Sequence, residues 1–150
     1  MSYFDSPKQR RIILDRLRVQ LAEEKDVKLL AELDFSDWDD AFDYLNDQYW
    51  GGQLPKISVA TESTKKRRLG WFGHSGYIKI SSNKGLTPKE MLGVLLHEMC
   101  HHYVHDNYGH GKPSARGGRV IGHGKEWKRE MRRVGYAGKI TKYSGKERFC

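Results

Sequence analysis

The sequence contains few cysteines and no long apolar run, and both absences exclude classes of protein. Its two cysteines, Cys100 and Cys150, are too few for the disulfide framework of a small secreted domain. No stretch approaches the roughly 20 apolar residues that a membrane-spanning helix needs. The first residues, MSYFDSPKQRR, lack the apolar core of a secretory signal. We therefore expect an intracellular, cytoplasmic protein without a membrane partner.

Length and composition predict one folded domain. A chain of 150 residues is long enough for one core and too short for two independent ones. Its 37% hydrophobic and 11% aromatic residues suffice for that core. The sequence should therefore form one fold with one main site.

Positive charge is concentrated in the C-terminal part of the chain. Residues 111–150 contain twelve Lys or Arg and three Glu, whereas residues 1–110 are close to neutral. Clustered positive charge attracts the phosphate backbone of nucleic acids. DNA is therefore the expected macromolecular partner, with a solvated face that only keeps the protein soluble as the alternative.

Capping residues and apolar spacing predict several helices and a small sheet. We expect a first helix from Pro7 to about Glu24, and a second from an N-cap at Ser36 to the glycine pair at 51–52. Residues 53–84 alternate in short runs, which is typical of a small antiparallel sheet. These elements predict an α+β fold.

Two more helices are expected after the sheet. Thr87 is a plausible N-cap with Pro88 at the first helical position, and the apolar residues that follow predict a mostly buried, central helix. A glycine-rich, basic loop at 109–122 precedes a last helix around GKEWKREMRRV. The central helix contains the most informative motif of the chain.

The segment HEMCH, residues 97–101, has two histidines four residues apart. In a helix of 3.6 residues per turn, both imidazoles lie on one face and can reach one metal ion. Zinc with three protein ligands keeps one position for water and lowers the pKa of that water toward about 7. A neighbouring carboxylate can accept the proton as the water attacks a carbonyl. The spacing therefore predicts His97 and His101 as ligands and Glu98 as general base.

A hydrolytic zinc site needs a third protein ligand, and His110 and His123 are the two candidates. Each stands between two glycines. His123 precedes a helix whose Trp127 and Met131 supply an apolar face, which gives the ligand a rigid platform. His110 lies at the edge of the glycine-rich loop. We favour His123 and keep His110 as the alternative.

Other potential ligands in the central helix have a simpler interpretation as core residues. His102 and His105 lie outside the motif, and each would need another face of the helix to reach the same ion. Cys100 faces away from the two histidines of the motif and is expected to pack in the core.

Three segments in order carry a resemblance to a known family. They are FDYLNDQYWGGQLP, the strand pair LGWFGHSGYIKIS, and LLHEMCHHYV followed by GHGKEWKREM, within roughly residues 38–135. These segments resemble the SprT-like family of zinc metallopeptidases, which includes the Spartan proteases acting on DNA–protein crosslinks. The resemblance implies a compact zincin-like fold, peptide-bond hydrolysis with one catalytic Zn²⁺, and His123 as the third ligand. It also implies a role in DNA repair, with DNA-bound or DNA-crosslinked proteins as substrates.

The chain departs from the family pattern in two respects. The loop between His101 and His123 is longer than usual, which keeps His110 open as a ligand. Many relatives continue into a cysteine-rich zinc ribbon, for which Cys150 is the sole candidate here, so a second zinc site is not predicted. We divide the chain into an N-terminal helical segment (1–35), a SprT-like core (36–138) and a basic C-terminal tail (139–150).

Eight basic residues in two groups are candidates for contact with DNA phosphates. They are Lys65, Lys66, Arg67, Arg68, Lys128, Arg129, Arg132 and Arg133. Trp71 and Phe72 could stack on unpaired bases of single-stranded DNA, although packing within the sheet is the simpler role.

The competing function is a DNA-binding module whose zinc is structural and which does not hydrolyse peptides. A structural zinc usually has four protein ligands and needs no carboxylate beside it. Because Glu98 stands between the two histidines of the motif, the sequence favours the enzyme.

Overall fold

The computed structural model describes residues 7–109 and 123–135 of the protein. In these ranges the chain forms α1 (Pro7–Glu32), α2 (Trp38–Trp50), β1 (Ser58–Glu62), β2 (Gly70–Gly73), β3 (Tyr77–Ser81), α3 (Pro88–Tyr108) and α4 (Lys125–Val134). The mixture of helices with one small sheet confirms the expected α+β class. Among the described helices, none has the length and apolar character required to cross a membrane.

Helix α1 is longer than the sequence suggested. It continues past the expected end near Glu24 to Glu32, because no glycine or proline interrupts the intervening residues. The chain leaves the helix at Asp34, which adopts a left-handed φ of 62°. The amide of Phe35 then donates to the carbonyl of Leu30 and closes the helix end.

Helix α2 begins one residue later than predicted. Asp37, and not Ser36, is the N-cap, and its carboxylate accepts a hydrogen bond from the Asp40 amide at 2.8 Å. The Asp40 carboxylate accepts from the Ser36 amide in turn. The helix ends as expected at Gly51, whose φ of 57° is the left-handed conformation that glycine adopts without strain.

The exit from α2 is held by one buried side chain. The Asn46 amide group donates to the carbonyl of Leu54 at 2.8 Å, and its oxygen accepts from the Leu54 amide at 3.0 Å. Because both main-chain groups of Leu54 are satisfied in this way, the loop can turn back over the core without leaving buried polar groups unpaired.

The three strands form a mixed sheet in the order β1-β3-β2, which corrects the prediction of a purely antiparallel one. Strands β2 and β3 are antiparallel neighbours joined by a tight turn. The other edge of β3 pairs in parallel with β1, with Ser58 opposite Tyr77. Alternating apolar residues predict that strands exist, but they do not specify which edges pair.

Helix α3 is the centre of the fold. The side chain of Thr87 accepts from the Glu90 amide and the Glu90 carboxylate accepts from the Thr87 amide, so both halves of a capping box are present. The helix packs against α1, α2 and α4, and against β2 and β3. Val94, Leu95 and Met99 are completely buried in these contacts. The HEMCH segment is therefore held on all sides by the core.

Candidate metal centre

Two helices bring three histidines together. His97 and His101 lie one turn apart on α3, with ring centroids 5.0 Å from each other. His123 stands immediately before α4, and its ring centroid is 5.5 Å from that of His97 and 4.9 Å from that of His101. One ligand atom from each residue lies within 4.8 Å of the other two. The three imidazoles are thus placed so that they can hold one metal ion.

The position of His123 follows from the packing of α4. Met131 and Val134 belong to the buried core, and α4 packs on α3. Gly124 is the N-cap of α4 and makes no side-chain capping bond, so the chain arrives at the helix directly after His123. The expected platform for His123 is therefore present. The alternative ligand His110 lies outside the described residues.

Trp127 was predicted only as part of the apolar face of α4, but the structure places its ring in contact with all three histidines. Its ring centroid lies 4.8 Å from that of His97, 5.2 Å from that of His101 and 4.6 Å from that of His123. The rings of Trp127 and His101 are nearly parallel, at 16°. His123 precedes α4 and does not lie in it, so the spacing of four residues does not by itself predict this contact.

Glu98 is buried beside the three histidines. Its side chain is 0% exposed, and one carboxylate oxygen is 3.9 Å from Nε2 of His97. Neither carboxylate oxygen accepts a hydrogen bond from the part of the chain that the structure describes. On the sheet side, Gly70 of β2 is so close that a Cβ atom there would lie 3.5 Å from Cγ of Glu98. Gly70 therefore lies in van der Waals range of the Glu98 side chain.

Burial changes the protonation of two groups in this cluster. Removal from water raises the pKa of the Glu98 carboxyl well above its usual value, and the positive charge of Arg68 opposes this shift. Partial desolvation lowers the pKa of His123, although the residue as a whole is exposed, and Lys128 contributes less in the same direction. A lowered pKa favours the neutral imidazole, which is the form that binds metal ions.

His102, His105 and Cys100 of α3 make packing contacts. His102 is buried, and its Nε2 donates to the carbonyl of Pro55 at 2.7 Å. His105 stacks on His74 with ring centroids 4.6 Å apart. Burial raises the pKa of the Cys100 thiol. These three α3 side chains are not among the residues that surround the common metal position.

The predicted phosphate contacts lie on two different elements. Lys65, Lys66 and Arg67 are exposed between β1 and β2, and Lys128, Arg129, Arg132 and Arg133 are exposed on α4.

Arg68 differs from its neighbours in the basic segment, because it is only partly exposed. Its guanidinium carbon lies 3.8 Å from the centre of the Trp71 ring. Trp71 is buried, and its face is covered by this guanidinium. Phe72 packs against His102 and His105. For both aromatic residues the structure shows packing contacts, which was the simpler of their two predicted roles.

Comparison with known proteins gives one finding about the chain. The SprT-like family matches it over residues 38–146. This range includes α2, the sheet, α3 and α4, and with them all three histidines, Glu98 and Trp127. The comparison with curated proteins gave no match.

Proposed function

Because the chain belongs to the SprT-like family, we propose that it is a zinc-dependent metalloendopeptidase that acts on proteins bound or crosslinked to DNA. The observation that carries this proposal is the placement of Glu98. A fully buried carboxylate stands next to three histidines whose ligand atoms lie within 4.8 Å of one another. This combination has a clear use in hydrolysis and little use in a purely structural site.

The donor set fits zinc. His97, His101 and His123 offer imidazole nitrogens, and three histidines are a known ligand set of hydrolytic zinc sites. The buried carboxylate of Glu98 receives no hydrogen bond from the described residues, and such a group is costly unless a cation or a polar molecule lies beside it. When bound, zinc polarises the substrate carbonyl and makes water a stronger nucleophile near neutral pH.

Glu98 is proposed to move the proton. Its carboxylate accepts a proton from the attacking water and then delivers it to the nitrogen of the departing amine. The Glu98 side chain is fully buried in the core, so its freedom to move away from the histidines before reaction is small. Trp127 excludes water from one side of the histidines and keeps the His101 ring in place.

The proposed association with DNA rests on charge. Seven of the eight predicted phosphate-contact residues are exposed, on α4 and between β1 and β2. Exposed Lys and Arg bind phosphate by displacing counterions, independently of base sequence. Such binding would bring proteins that are already attached to DNA to the metal centre. A role in DNA repair is proposed on the same ground.

The test uses Glu98→Gln, with Glu62→Gln as the matched control because Glu62 is an exposed glutamate on β1. Both variants and the wild type are loaded with zinc, and equal zinc content is confirmed. Cleavage is measured on a fluorogenic peptide and on a DNA-bound protein, with and without single-stranded DNA. We expect hydrolysis by the wild type and by Glu62→Gln, and a loss of at least about a hundredfold in Glu98→Gln.

The outcome separates the enzyme from the competing DNA-binding module. Hydrolysis that persists in Glu98→Gln would show that Glu98 is not the general base. If no protein with bound zinc cleaves either substrate, while all bind DNA, the module with a structural zinc is the better description. Stimulation by DNA in the wild type would support the proposed class of substrate.

A further inference from the structure

We propose that Arg68 binds a carboxylate of the peptide substrate and thereby selects peptides that carry a negative charge near the bond to be cleaved. The carboxylate belongs either to an Asp or Glu side chain or to a peptide C-terminus, since both present the same planar anion. The inference rests on the proposed function and deepens it, because it names a chemical property of the substrate that the same centre accepts.

Arg68 lies beside the candidate metal centre without being one of its ligands. It stands two residues before Gly70, which is in van der Waals range of the Glu98 side chain. Two residues of chain span at most about 7 Å, so the backbone of Arg68 is close to the buried carboxylate. The positive charge of Arg68 acts on Glu98 and opposes the rise in the pKa of its carboxyl group. A peptide bound at the centre therefore lies within reach of the guanidinium.

Contacts on the sheet hold Arg68 in place. Its guanidinium carbon lies 3.8 Å from the centre of the Trp71 ring, and Trp71 is buried. The main-chain carbonyl of Arg68 accepts a hydrogen bond from the hydroxyl of Ser81 on β3. A guanidinium that already rests on a ring loses less conformational freedom when it binds a further group. Arg68 is therefore prearranged to bind an anion.

The hydrogen-bonding capacity of Arg68 is not used by the residues around it. Among the side chains that the structure describes, no carboxylate lies within ion-pair distance of its guanidinium. Its Nε is buried and has no acceptor among the same residues, and neither oxygen of Glu98 accepts a hydrogen bond from it. An unsatisfied buried donor on a charged group is costly. A carboxylate matches a guanidinium with two parallel hydrogen bonds, so it is the anion that fits best.

The charge of the centre also favours an anionic substrate. The three histidines bind a metal ion as neutral imidazoles, so with zinc bound the single carboxylate of Glu98 leaves the centre positive. Arg68 adds a further positive charge at the same place. Charge that is partly removed from water is costly unless an opposite charge lies beside it. A carboxylate of the substrate would offset the charge of Arg68.

The surroundings of Arg68 favour a peptide over a nucleic acid as the source of the anion. Its three basic neighbours in the chain, Lys65, Lys66 and Arg67, are exposed, whereas Arg68 is only partly exposed. The ring of Trp71 beneath it is buried, so it offers no open face to a base. A phosphate backbone would meet the exposed neighbours first. The side chain or the end of a single extended peptide is slender enough to reach the recessed guanidinium.

The test uses labelled peptides of alanine and serine, about ten residues long, which span about 30 Å when extended. One set ends in an amide and contains a single glutamate at each inner position in turn, and a matched set contains glutamine instead. A further pair has no acidic side chain and ends either in a free carboxylate or in an amide.

Binding is measured by fluorescence anisotropy with zinc-loaded Glu98→Gln, so that the peptides are not consumed. The same measurement is made after adding Arg68→Gln, which removes the charge, or Arg68→Lys, which keeps it. Arg67→Gln is the matched control, because Arg67 is the exposed neighbour of Arg68. Cleavage of the same peptides is measured as kcat/KM with proteins that retain Glu98.

We expect at least one peptide with a carboxylate to bind at least about fivefold more tightly than its uncharged partner. Arg68→Gln should abolish this preference and Arg67→Gln should keep it. Arg68→Lys should retain part of it, since lysine has the charge without the planar pair of donors. A preference for the internal glutamate identifies an acidic side chain as the ligand, and a preference for the free end identifies the C-terminus. Because the preference is a ratio measured on one protein, partial unfolding of a variant does not change it.

Equal binding of every charged peptide and its uncharged partner overturns the inference, and so does a preference that survives in Arg68→Gln. If Arg68→Gln instead weakens binding of single-stranded DNA while no peptide preference exists, Arg68 is a phosphate contact and the inference fails.

The two proposals can fail separately. If the preference depends on Arg68 but the wild type cleaves none of the peptides, the carboxylate site stands and the proposed hydrolysis fails. If the wild type cleaves charged and uncharged peptides with equal kcat/KM, hydrolysis stands and the carboxylate site fails.

Discussion

Glu98 is a carboxylate in surroundings that carboxylates rarely occupy. It is 0% exposed, and burial raises its pKa well above the usual value. For a carboxyl group, a pKa raised on folding means that the ionised form is less stable inside the protein than in the unfolded chain. A cation bound by the neighbouring histidines would offset this cost.

We predict that Glu98→Gln stabilises the metal-free protein, and that the difference grows as the pH rises. Below its unfolded pKa, near 4.5, the Glu98 carboxyl is protonated in both states. Stability is then lost as the pH rises toward the higher folded pKa, with a slope of at most about 1.4 kcal/mol per pH unit for one proton. Glutamine has no proton to lose. Urea unfolding of both metal-free proteins between about pH 5 and pH 8 measures the difference.

Glu62→Gln serves as the control for this experiment, because Glu62 is an exposed glutamate on β1. If the free energy of unfolding changes with pH in the same way for wild type and Glu98→Gln, the prediction is wrong.

Trp127 supports the three histidines from one side. We predict that Trp127→Ala lowers zinc affinity about tenfold to a hundredfold, because the His101 ring loses the surface on which it stacks. Trp127→Phe should retain most of the affinity, since it keeps an aromatic face. Competition with a chromophoric chelator measures both, and wild-type affinity in Trp127→Ala would show that the ring contact is unimportant.

The sequence predicts some site residues better than others for a physical reason. His97, Glu98 and His101 lie within about one turn of the same helix. Their spacing in sequence therefore predicts that the three side chains are close in space. The contacts of Trp127 with the two histidines of α3 join residues that are far apart in sequence, so they depend on tertiary packing. Composition and spacing do not describe them.

At the scale of elements, the contact between β2 and α3 is unusually close at Gly70. A Cβ atom there would lie 2.5 Å from Cγ1 of Val94 and 2.9 Å from the carbonyl oxygen of Lys79. We predict that Gly70→Ala destabilises the protein by about 1–3 kcal/mol through overpacking. A Cβ atom at position 70 would make only an ordinary contact with Cγ of Glu98, at 3.5 Å, so hydrolysis should fall no further than the loss of folded protein explains. Chemical denaturation and peptide cleavage are measured together.

A double variant tests the cause of that loss. Val94→Ala removes the nearer clashing atom, so Gly70→Ala combined with Val94→Ala should be less destabilised than the sum of the two single changes. Additive losses would mean that the helix–strand contact is not the origin.

Helices were easier to predict than the sheet. The caps at Thr87 and Gly51 have local chemical causes, so the ends of α2 and α3 could be predicted from neighbouring residues. The parallel pairing of β1 with β3 joins segments separated by β2. Pairing of this kind depends on how the strands pack in the core. The local pattern of apolar residues does not predict which strands are neighbours.

At the scale of the whole molecule, a bound metal would join α3 to α4. We predict that zinc raises the melting temperature of the wild type by several degrees. Zinc at about 100 times its dissociation constant adds about 2.7 kcal/mol, and each kcal/mol corresponds to about 2–4 °C for a chain near this size. Differential scanning fluorimetry measures the shift.

The same measurement decides between the two candidates for the third ligand. His123→Ala should lose most of the zinc-dependent shift, whereas His110→Ala should keep it, since His123 lies with the other two histidines. The reverse result would assign the ligand to His110, which lies outside the described residues.

The assignment of the chain to segments 1–35, 36–138 and 139–150 stays a prediction.

The division of the metal centre between two helices also has an evolutionary consequence. Two of the candidate ligands belong to the central helix, on which the core depends, whereas His123 is exposed and precedes α4. One substitution at position 123 would remove a ligand and leave Met131, Val134 and the exposed arginines of α4 untouched. If the chain hydrolyses peptides as proposed, that activity can be lost in a single mutational step while a folded, basic domain persists. Descendants of such an ancestor could include folded proteins that no longer cleave anything.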